Sequence, residues 1–218
     1  MSDTIPHTRL SAELTDFVAG LDSEETTIGA VLDMIADRGF GLILLILALP
    51  AALPLPAPGY ATPFGIMMAL LGLQMIRGRK TPWLPEKVRK RSVTRSKLER
   101  TVKSAGVPLR FVEWVIRPRL SGLARNRAFL ALVGVIVVLM SISMSMPIPL
   151  TNTAPSFVIF VLAAGILEED GLVLLGGLLL APIAAGIAGV AVYFAWTHGL
   201  DAVEEHAKPL IKGWLGLS

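Results

Sequence analysis

Residues 39–76 read GFGLILLILALPAALPLPAPGYATPFGIMMALLGLQMI. Two apolar arms, Gly39 to Leu53 and Tyr60 to Ile76, flank a proline cluster. Each arm is shorter than the roughly 20 residues a helix needs to cross a hydrocarbon core. Pro50, Pro54, Pro56, Pro58, Gly59 and Pro63 lie within and between them. Proline lacks a backbone N–H and clashes with the preceding helical turn, so the cluster unwinds the helix. Unwound backbone facing lipid leaves its polar groups unsatisfied, so it must be buried in protein or face water. A re-entrant hairpin, or a broken helix pair meeting at a cavity, meets both demands.

The same order recurs downstream: an apolar arm from Ala128 to Met146, the break PIPLTNTAP from Pro147 to Pro155, and a second arm from Ser156 to Leu167. A slide of 93 positions, without a gap, brings Pro54 onto Pro147, Pro56 onto Pro149, Ala61 onto Ala154, Phe64 onto Phe157, Ile66 onto Ile159, Gly72 onto Gly165 and Gly78 onto Gly171. Two similar halves with broken helices point to a transporter-like site at the repeat interface. Inverted halves need opposite orientations, whereas a connector with both ends on one side places both hairpins on that side. The serine- and methionine-rich SISMSM from Ser141 to Met146 makes the approach to the second break more polar than the first.

Around these blocks the chain is unevenly charged. Of 218 residues 53% are hydrophobic and 17% charged, with a mean hydropathy of +0.65, which is a lipid-facing composition. Sixteen of the 20 Lys and Arg fall between Arg77 and Arg127, against Glu86, Glu99 and Glu113. Before Arg38 the chain is acidic: Asp3, Glu13, Asp16, Asp22, Glu24, Glu25, Asp33 and Asp37 face Arg9 alone. The basic excess is what the positive-inside rule asks of a cytoplasmic loop, so it needs no nucleic-acid partner to explain it. It also suits anionic lipid headgroups. The start of the chain is neither basic nor followed by an early apolar run, so the membrane segments are expected to stay in the mature protein.

The residues up to Asp22 are polar and aperiodic. Ile28, Val31, Leu32 and Ile35 keep helical spacing and predict a short amphipathic helix on the membrane surface, with Ser23 or Thr27 as its cap. Leu109, Val112, Ile116, Leu120 and Leu123 predict a second one. Leu172 to Trp196 is long enough to span alone, with Tyr193 and Trp196 placed as interfacial anchors. The expected fold is therefore an all-α integral membrane protein: two pseudo-repeated broken-helix or re-entrant hairpins, amphipathic surface helices and one long C-terminal transmembrane helix. Its parts are a cytoplasmic N-terminal segment (1–37), a first hairpin (38–76), a basic cytoplasmic connector (77–127), a second hairpin (128–170), the terminal helix (171–197) and a tail (198–218).

Candidate substrate or translocation residues are those at the breaks: Pro54, Pro56, Pro58 and Gly59 with Pro147, Pro149, Thr151, Asn152 and Thr153, where free backbone and small polar groups meet. The competing reading is a packing break alone. Gln74 joins them as an amide in an apolar arm, where hydrogen bonding to an adjacent helix competes with substrate contact. Arg38, Arg77, Arg79 and Arg127 flank the arms, suited either to snorkelling or to an anionic headgroup or phosphate. Glu168, Glu169 and Asp170 are candidates for a proton or cation, or are hydrated loop acids. The chain has no cysteine, and His7, His198 and His206 fit no metal spacing. No paired-carboxylate or Ser–His pattern, phosphate loop or dinucleotide fingerprint stands out. Neither a cofactor, a metal nor catalysis is expected. Gly176, Gly177, Gly186 and Gly189 allow close helix approach and point to a homodimer.

Taken in order, RGFG from Arg38, ALPAALPLPAPG from Ala48 to Gly59, QMIRG from Gln74, TPWLP from Thr81, RPRL from Arg117, and Asp170 with Gly171 resemble the ExoD family, over roughly Ser23 to Ala195. The resemblance implies a bacterial inner-membrane protein linked to exopolysaccharide production and to tolerance of alkaline conditions, with no defined reaction. Three functions are carried forward: transport or handling of an anionic lipid carrier or ion between the repeats, which includes alkaline pH and ion homeostasis; a non-transporting scaffold for the exopolysaccharide synthesis machinery; and an intramembrane enzyme, disfavoured for want of a convergent acid, base or nucleophile.

Overall fold

The computed structural model describes residues 10–21, 23–35, 38–52, 61–103, 116, 118–146 and 152–199. Five apolar helices form its body: α3 (Gly39–Ala52), α4 (Ala61–Ile76), α8 (Arg127–Met144), α9 (Thr153–Leu167) and α10 (Gly171–His198). Each is almost wholly aliphatic, so packing and capping decide where it sits. At 1.5 Å per residue α3, α4 and α9 are about 21–24 Å long, below the roughly 30 Å of a bilayer core. Among the described residues, α8 and α10 are the helices long and apolar enough to cross a membrane.

α3 lies along α9, α4 along α8, and α10 covers the outer side of α9. Glycines set the closest approaches. A Cβ on Gly134 would stand 2.8 Å from the Gly72 carbonyl oxygen and 3.1 Å from the Ile76 nitrogen. One on Gly41 would stand 2.9 Å from the Ala163 carbonyl oxygen and 2.7 Å from the Leu167 nitrogen. Both contacts are with backbone, so nothing larger than hydrogen fits without moving a helix. Farther along, Gly65 abuts Ser141 and Ser145, and the Thr62 hydroxyl donates to the Ser145 carbonyl at 3.3 Å. The start of α4 therefore meets the end of α8, and the pair is antiparallel.

The serines of SISMSM serve this contact. Ser141 is fully buried, and its hydroxyl donates to the Val137 carbonyl at 2.6 Å. Ser145 donates to the Ser141 carbonyl at 2.8 Å. Their small size lets α4 approach, and back-bonding satisfies them, so the polarity of this arm does not require an open cavity. On α10, Gly177 is used against Leu162, whereas a Cβ on Gly176, Gly186 or Gly189 would meet nothing within 4 Å among the described residues. Tyr193 and Trp196 are exposed near its far end.

The N-terminal segment and the connector fold together. The N-terminal part holds α1 (Leu10–Ala19), β1 (Glu25–Thr27) and α2 (Ile28–Ile35); the connector contributes α5 (Glu86–Arg89), β2 (Ser92–Thr94) and a helix α6 over 95–103. β1 pairs antiparallel with β2, Thr26 opposite Val93. Leu14, Leu32, Ile35 and Leu167 form one small core. This changes two expectations. The segment before Asp22 is not aperiodic, because Leu14 and Val18 place one buried face on α1. The apolar stripe of α2 packs on protein, with Leu32 and Ile35 buried and Ile28 and Val31 half-buried. Opposite charges are matched here: Arg89 donates to Asp33 Oδ1 at 2.7 Å, Arg38 pairs with Glu13 at 3.7 Å, and Arg95 donates to the Leu21 carbonyl at 3.0 Å. The second predicted surface helix falls mostly outside the described residues, where only 116, 118–124 are seen; of that stretch α7 (Ser121–Ala124) is a single helical turn.

Candidate functional site

The ends of four helices on the connector side surround a cavity of about 370 Å³. Each contributes one apolar side chain: Phe40 from α3, Met75 from α4, Leu130 from α8 and Ile166 from α9. Above them the rim is charged, with Arg79, Lys80, Arg125 and Arg127 against the single carboxylate of Glu169.

Local structure holds each rim segment. α4 ends at Gly78, whose φ of 69° is the left-handed conformation in which glycine meets no Cβ penalty. Its N–H donates to the Met75 carbonyl at 2.9 Å and that of Arg79 to the Gln74 carbonyl at 3.2 Å, a helix C-cap that turns Arg79 and Lys80 over the cavity. α9 ends in the same way. Glu169 has φ 51°, its N–H donates to the Ile166 carbonyl at 3.3 Å, and that of Asp170 to the Gly165 carbonyl at 2.9 Å. α8 begins at Asn126, whose side-chain oxygen accepts from the Ala128 and Phe129 N–H groups at 2.9 and 3.2 Å. That cap fixes Arg125 and Arg127 on either side of the helix start.

Arg125 is the one rim cation joined to a carboxylate. Its Nε and Nη2 both donate to Glu169 Oε2, at 2.9 and 2.7 Å. Arg79, Lys80 and Arg127 have no ion-pair partner among the described residues and are exposed. Charge-assisted donors at an exposed mouth over an apolar floor are suited to a group that is anionic at one end and greasy at the other.

Of the residues singled out in the sequence, Arg79 and Arg127 meet at this rim. Arg77 follows α4 but does not line the cavity, and Arg38 is engaged with Glu13. Gln74 forms a two-point clamp: its Oε1 accepts from the Trp83 N–H at 2.6 Å and its Nε2 donates to the Trp83 carbonyl at 3.2 Å. That amide is spent on the TPWLP loop, whose Pro82 packs on Gly39. Asp170 is buried as the N-cap of α10, accepting from the Leu172 and Val173 N–H groups at 2.9 and 3.2 Å, and Glu168 is at the C-cap of α9. Asn152 and Thr153 are at the other end of α9. The Asn152 carbonyl accepts from Ser156 at 2.6 Å, and its buried Oδ1 has no hydrogen-bond partner among the described residues. Pro54, Pro56, Pro58, Gly59, Pro147, Pro149 and Thr151 lie outside the described residues. Lys80 and Arg125 were not singled out; each is one or two residues from a chosen arginine, in a run too basic to rank its members.

A family model described as "Exopolysaccharide synthesis, ExoD" matches residues 10–190. The chain belongs to the ExoD family. It is 30% identical over 189 residues to Protein ExoD of Rhizobium meliloti, covering 85% of this chain and 76% of that one. It is 36% identical over 209 residues to an uncharacterised protein of Synechocystis sp., covering 95% of this chain and 96% of the relative. No solved structure matches the chain. Family membership implies a role in exopolysaccharide synthesis, and with two helices of spanning length and composition this ExoD relative is suited to a membrane.

Proposed function

We propose that this ExoD-family protein supports exopolysaccharide production by holding the phosphate headgroup of an anionic lipid carrier at the connector-side cavity between two repeated hairpins. The observation that carries the reading is the cavity's division into an apolar floor from four helices and a rim with four cations. A polyprenyl phosphate has that division: a chain for the floor and a phosphate for the rim.

The repeat has support beyond the proline pattern. α3 on α9 and α4 on α8 are the pairings that exchange when the hairpins α3–α4 and α8–α9 swap places, as a two-fold axis requires. Gly41 against Ala163 and Leu167 mirrors Gly134 against Gly72 and Ile76. In this correspondence the first arms are offset by 93 residues and the second by 91. The offset of 91 also carries the cap at Gly78 onto Glu169 and its hydrogen bonds from Met75 and Gln74 onto Ile166 and Gly165. The gapless slide of 93 is then two residues out in the second arms. Because all four arms bring an end to one cavity, the favoured relation is parallel, with the axis along the membrane normal. The positive-inside rule puts that end, with the connector, at the cytoplasmic face of an inner membrane. The open face at Gly176, Gly186 and Gly189 is our candidate homodimer contact.

A scaffold that recruits synthesis partners through its basic run has less support, since Arg89 and Arg95 of that run are engaged with the N-terminal segment. Catalysis is disfavoured by the absence of a nucleophile–base pair among the cavity-lining residues. Full-length protein in nanodiscs, offered polyprenyl phosphate and the neutral polyprenol, tests the reading by native mass spectrometry. Preferential retention of the phosphate is expected. Equal retention of both, or of neither, overturns it.

A further inference from the structure

Among the described residues Glu169 is the one acid on the rim, and it stands where a glycine would be easier. A left-handed φ of 51° is unfavourable for any residue with a Cβ, and at the equivalent end of α4 the chain uses Gly78. Backbone strain of this kind persists where surrounding structure enforces it, and it collects at functional sites. Its consequence here is specific. The carboxylate, with only 19% of the side chain exposed, takes the Nε–Nη2 edge of Arg125. That edge is the fork with which arginine grips a carboxylate or a phosphate.

We propose that Glu169 is a displaceable internal anion: it occupies the Arg125 subsite of the cavity in the empty state and yields it to the phosphate of an incoming anionic lipid. This rests on the anionic-lipid reading above and adds to it the part of the site that sets how tightly the headgroup is held. Arg79, Lys80 and Arg127 make the first encounter, and the headgroup then exchanges with Glu169 for Arg125. The pair also guards the site when empty, because an adjacent carboxylate repels weakly charged anions that cannot compete for the arginine fork. Because Arg125 is 62% exposed, its pair with Glu169 is screened and exchange is not blocked by desolvation.

The experiment compares full-length unmodified protein with E169Q, E169G, R125Q and the E169Q/R125Q double variant in nanodiscs. Polyprenyl phosphate is the probe, and inorganic phosphate and phosphatidylcholine are separate arms. E169Q and E169G are expected to bind polyprenyl phosphate about tenfold more tightly. That is the scale of removing one unit charge about 6 Å from the headgroup, at a dielectric between those of a protein surface and water. R125Q weakens binding, and adding E169Q to it restores little, since the site being vacated is gone. Phosphatidylcholine retention stays unchanged, which a merely structural change would not achieve. Tighter binding of inorganic phosphate as well would place the gain in the phosphate group itself; a gain confined to the lipid would place it in headgroup and chain together. Both support the exchange. If unmodified protein binds polyprenyl phosphate while E169Q and E169G bind equally or more weakly, the exchange is wrong and the lipid reading stands. If no variant binds, both fall. E169G also guards against misfolding, because it removes the strained Cβ and is expected to melt no lower than the unmodified protein.

Discussion

Gly134→Ala tests the packing on which the whole arrangement depends. In an isolated helix the change stabilises by about 0.8–1 kcal/mol, because glycine leaves the backbone too free. Here the added methyl would stand 2.8 Å from the Gly72 carbonyl oxygen, 3.0 Å from Met75 Cβ and 3.1 Å from the Ile76 nitrogen. Two of these are backbone atoms of α4, so no rotamer relieves them and α4 must retreat by about half an ångström or more. A gap of about 0.5–1 Å forfeits a quarter to a half of each dispersion contact along the seam, and overpacking of this kind costs about 1–3 kcal/mol. The net expectation is destabilisation of about 1–2 kcal/mol, opposite in sign to the helix propensity. Gly41→Ala, facing Leu167 N at 2.7 Å and Ala163 O at 2.9 Å, should behave alike, whereas Gly176→Ala, with nothing within 4 Å, should be neutral or slightly stabilising. Thermal unfolding of the three variants in one detergent, followed by loss of the monodisperse peak, gives the comparison. If Gly134→Ala and Gly41→Ala melt with or above Gly176→Ala, the close α4–α8 and α3–α9 approaches are wrong.

Three further outcomes follow from the site and its surroundings. Arg79→Gln and Arg127→Gln should each weaken polyprenyl phosphate retention about tenfold, the worth of one charge-assisted hydrogen bond, and raised salt should weaken the unmodified protein likewise because both side chains are exposed; a titration in nanodiscs at two ionic strengths would detect it, and salt-independent binding would remove the electrostatic rim from the account. Gln74→Leu leaves the Trp83 N–H and carbonyl without their partners, which should lower stability by about 1–3 kcal/mol and increase quenching of Trp83 fluorescence, with an unchanged spectrum counting against the clamp. Gly186→Cys, in a chain with no other cysteine, should form a cross-linked dimer under mild oxidation while Gly177→Cys, packed on Leu162, should not; monomer in both cases would leave the open face of α10 to lipid.

The parts of the fold legible in the sequence were those set by local composition. The aliphatic arms and the long last helix follow from runs such as GLILLILAL, whereas the capping of α10 by Asp170, read in the sequence as a proton or cation contact or a loop acid, emerges only in the structure. The small domain at the connector end was not legible, because Glu25–Thr27 and Ser92–Thr94 are three-residue strands separated by an entire hairpin. Neither has a pattern of its own, and only their antiparallel pairing, from Glu25 opposite Thr94 to Thr27 opposite Ser92, makes a sheet of them. The cavity was half legible. Arg79 and Arg127 stand out because they flank apolar arms, but the residues at the proline breaks are the stronger candidates by sequence, and nothing in the spacing indicates that Phe40, Met75, Leu130 and Ile166 converge. Convergence is a property of helix pairing, fixed here by glycine contacts between residues some 60–125 positions apart.

The charge pattern shows how one feature serves two ends. Sixteen basic residues in the connector satisfy the positive-inside rule as a sum, and a sum says nothing about which of them bind. The structure divides them. Arg89 meets Asp33, and Arg95 meets the carbonyls of Ala19 and Leu21 at the end of the N-terminal helix, so two basic residues of the connector's middle are engaged by the N-terminal segment. Arg79, Lys80, Arg125 and Arg127 stand at its two ends, where α4 leaves the apolar body and α8 enters it, and there Glu169 is the only acid on the cavity rim among the described residues. Arg89 is paired by Asp33, whereas Arg79, Lys80 and Arg127, without an ion-pair partner among the described residues, share one mouth. On the function proposed above, a lipid phosphate approaching from the headgroup layer would meet these cations where the floor is apolar, and orientation in the membrane and recognition of an anionic amphiphile would draw on the same arginines.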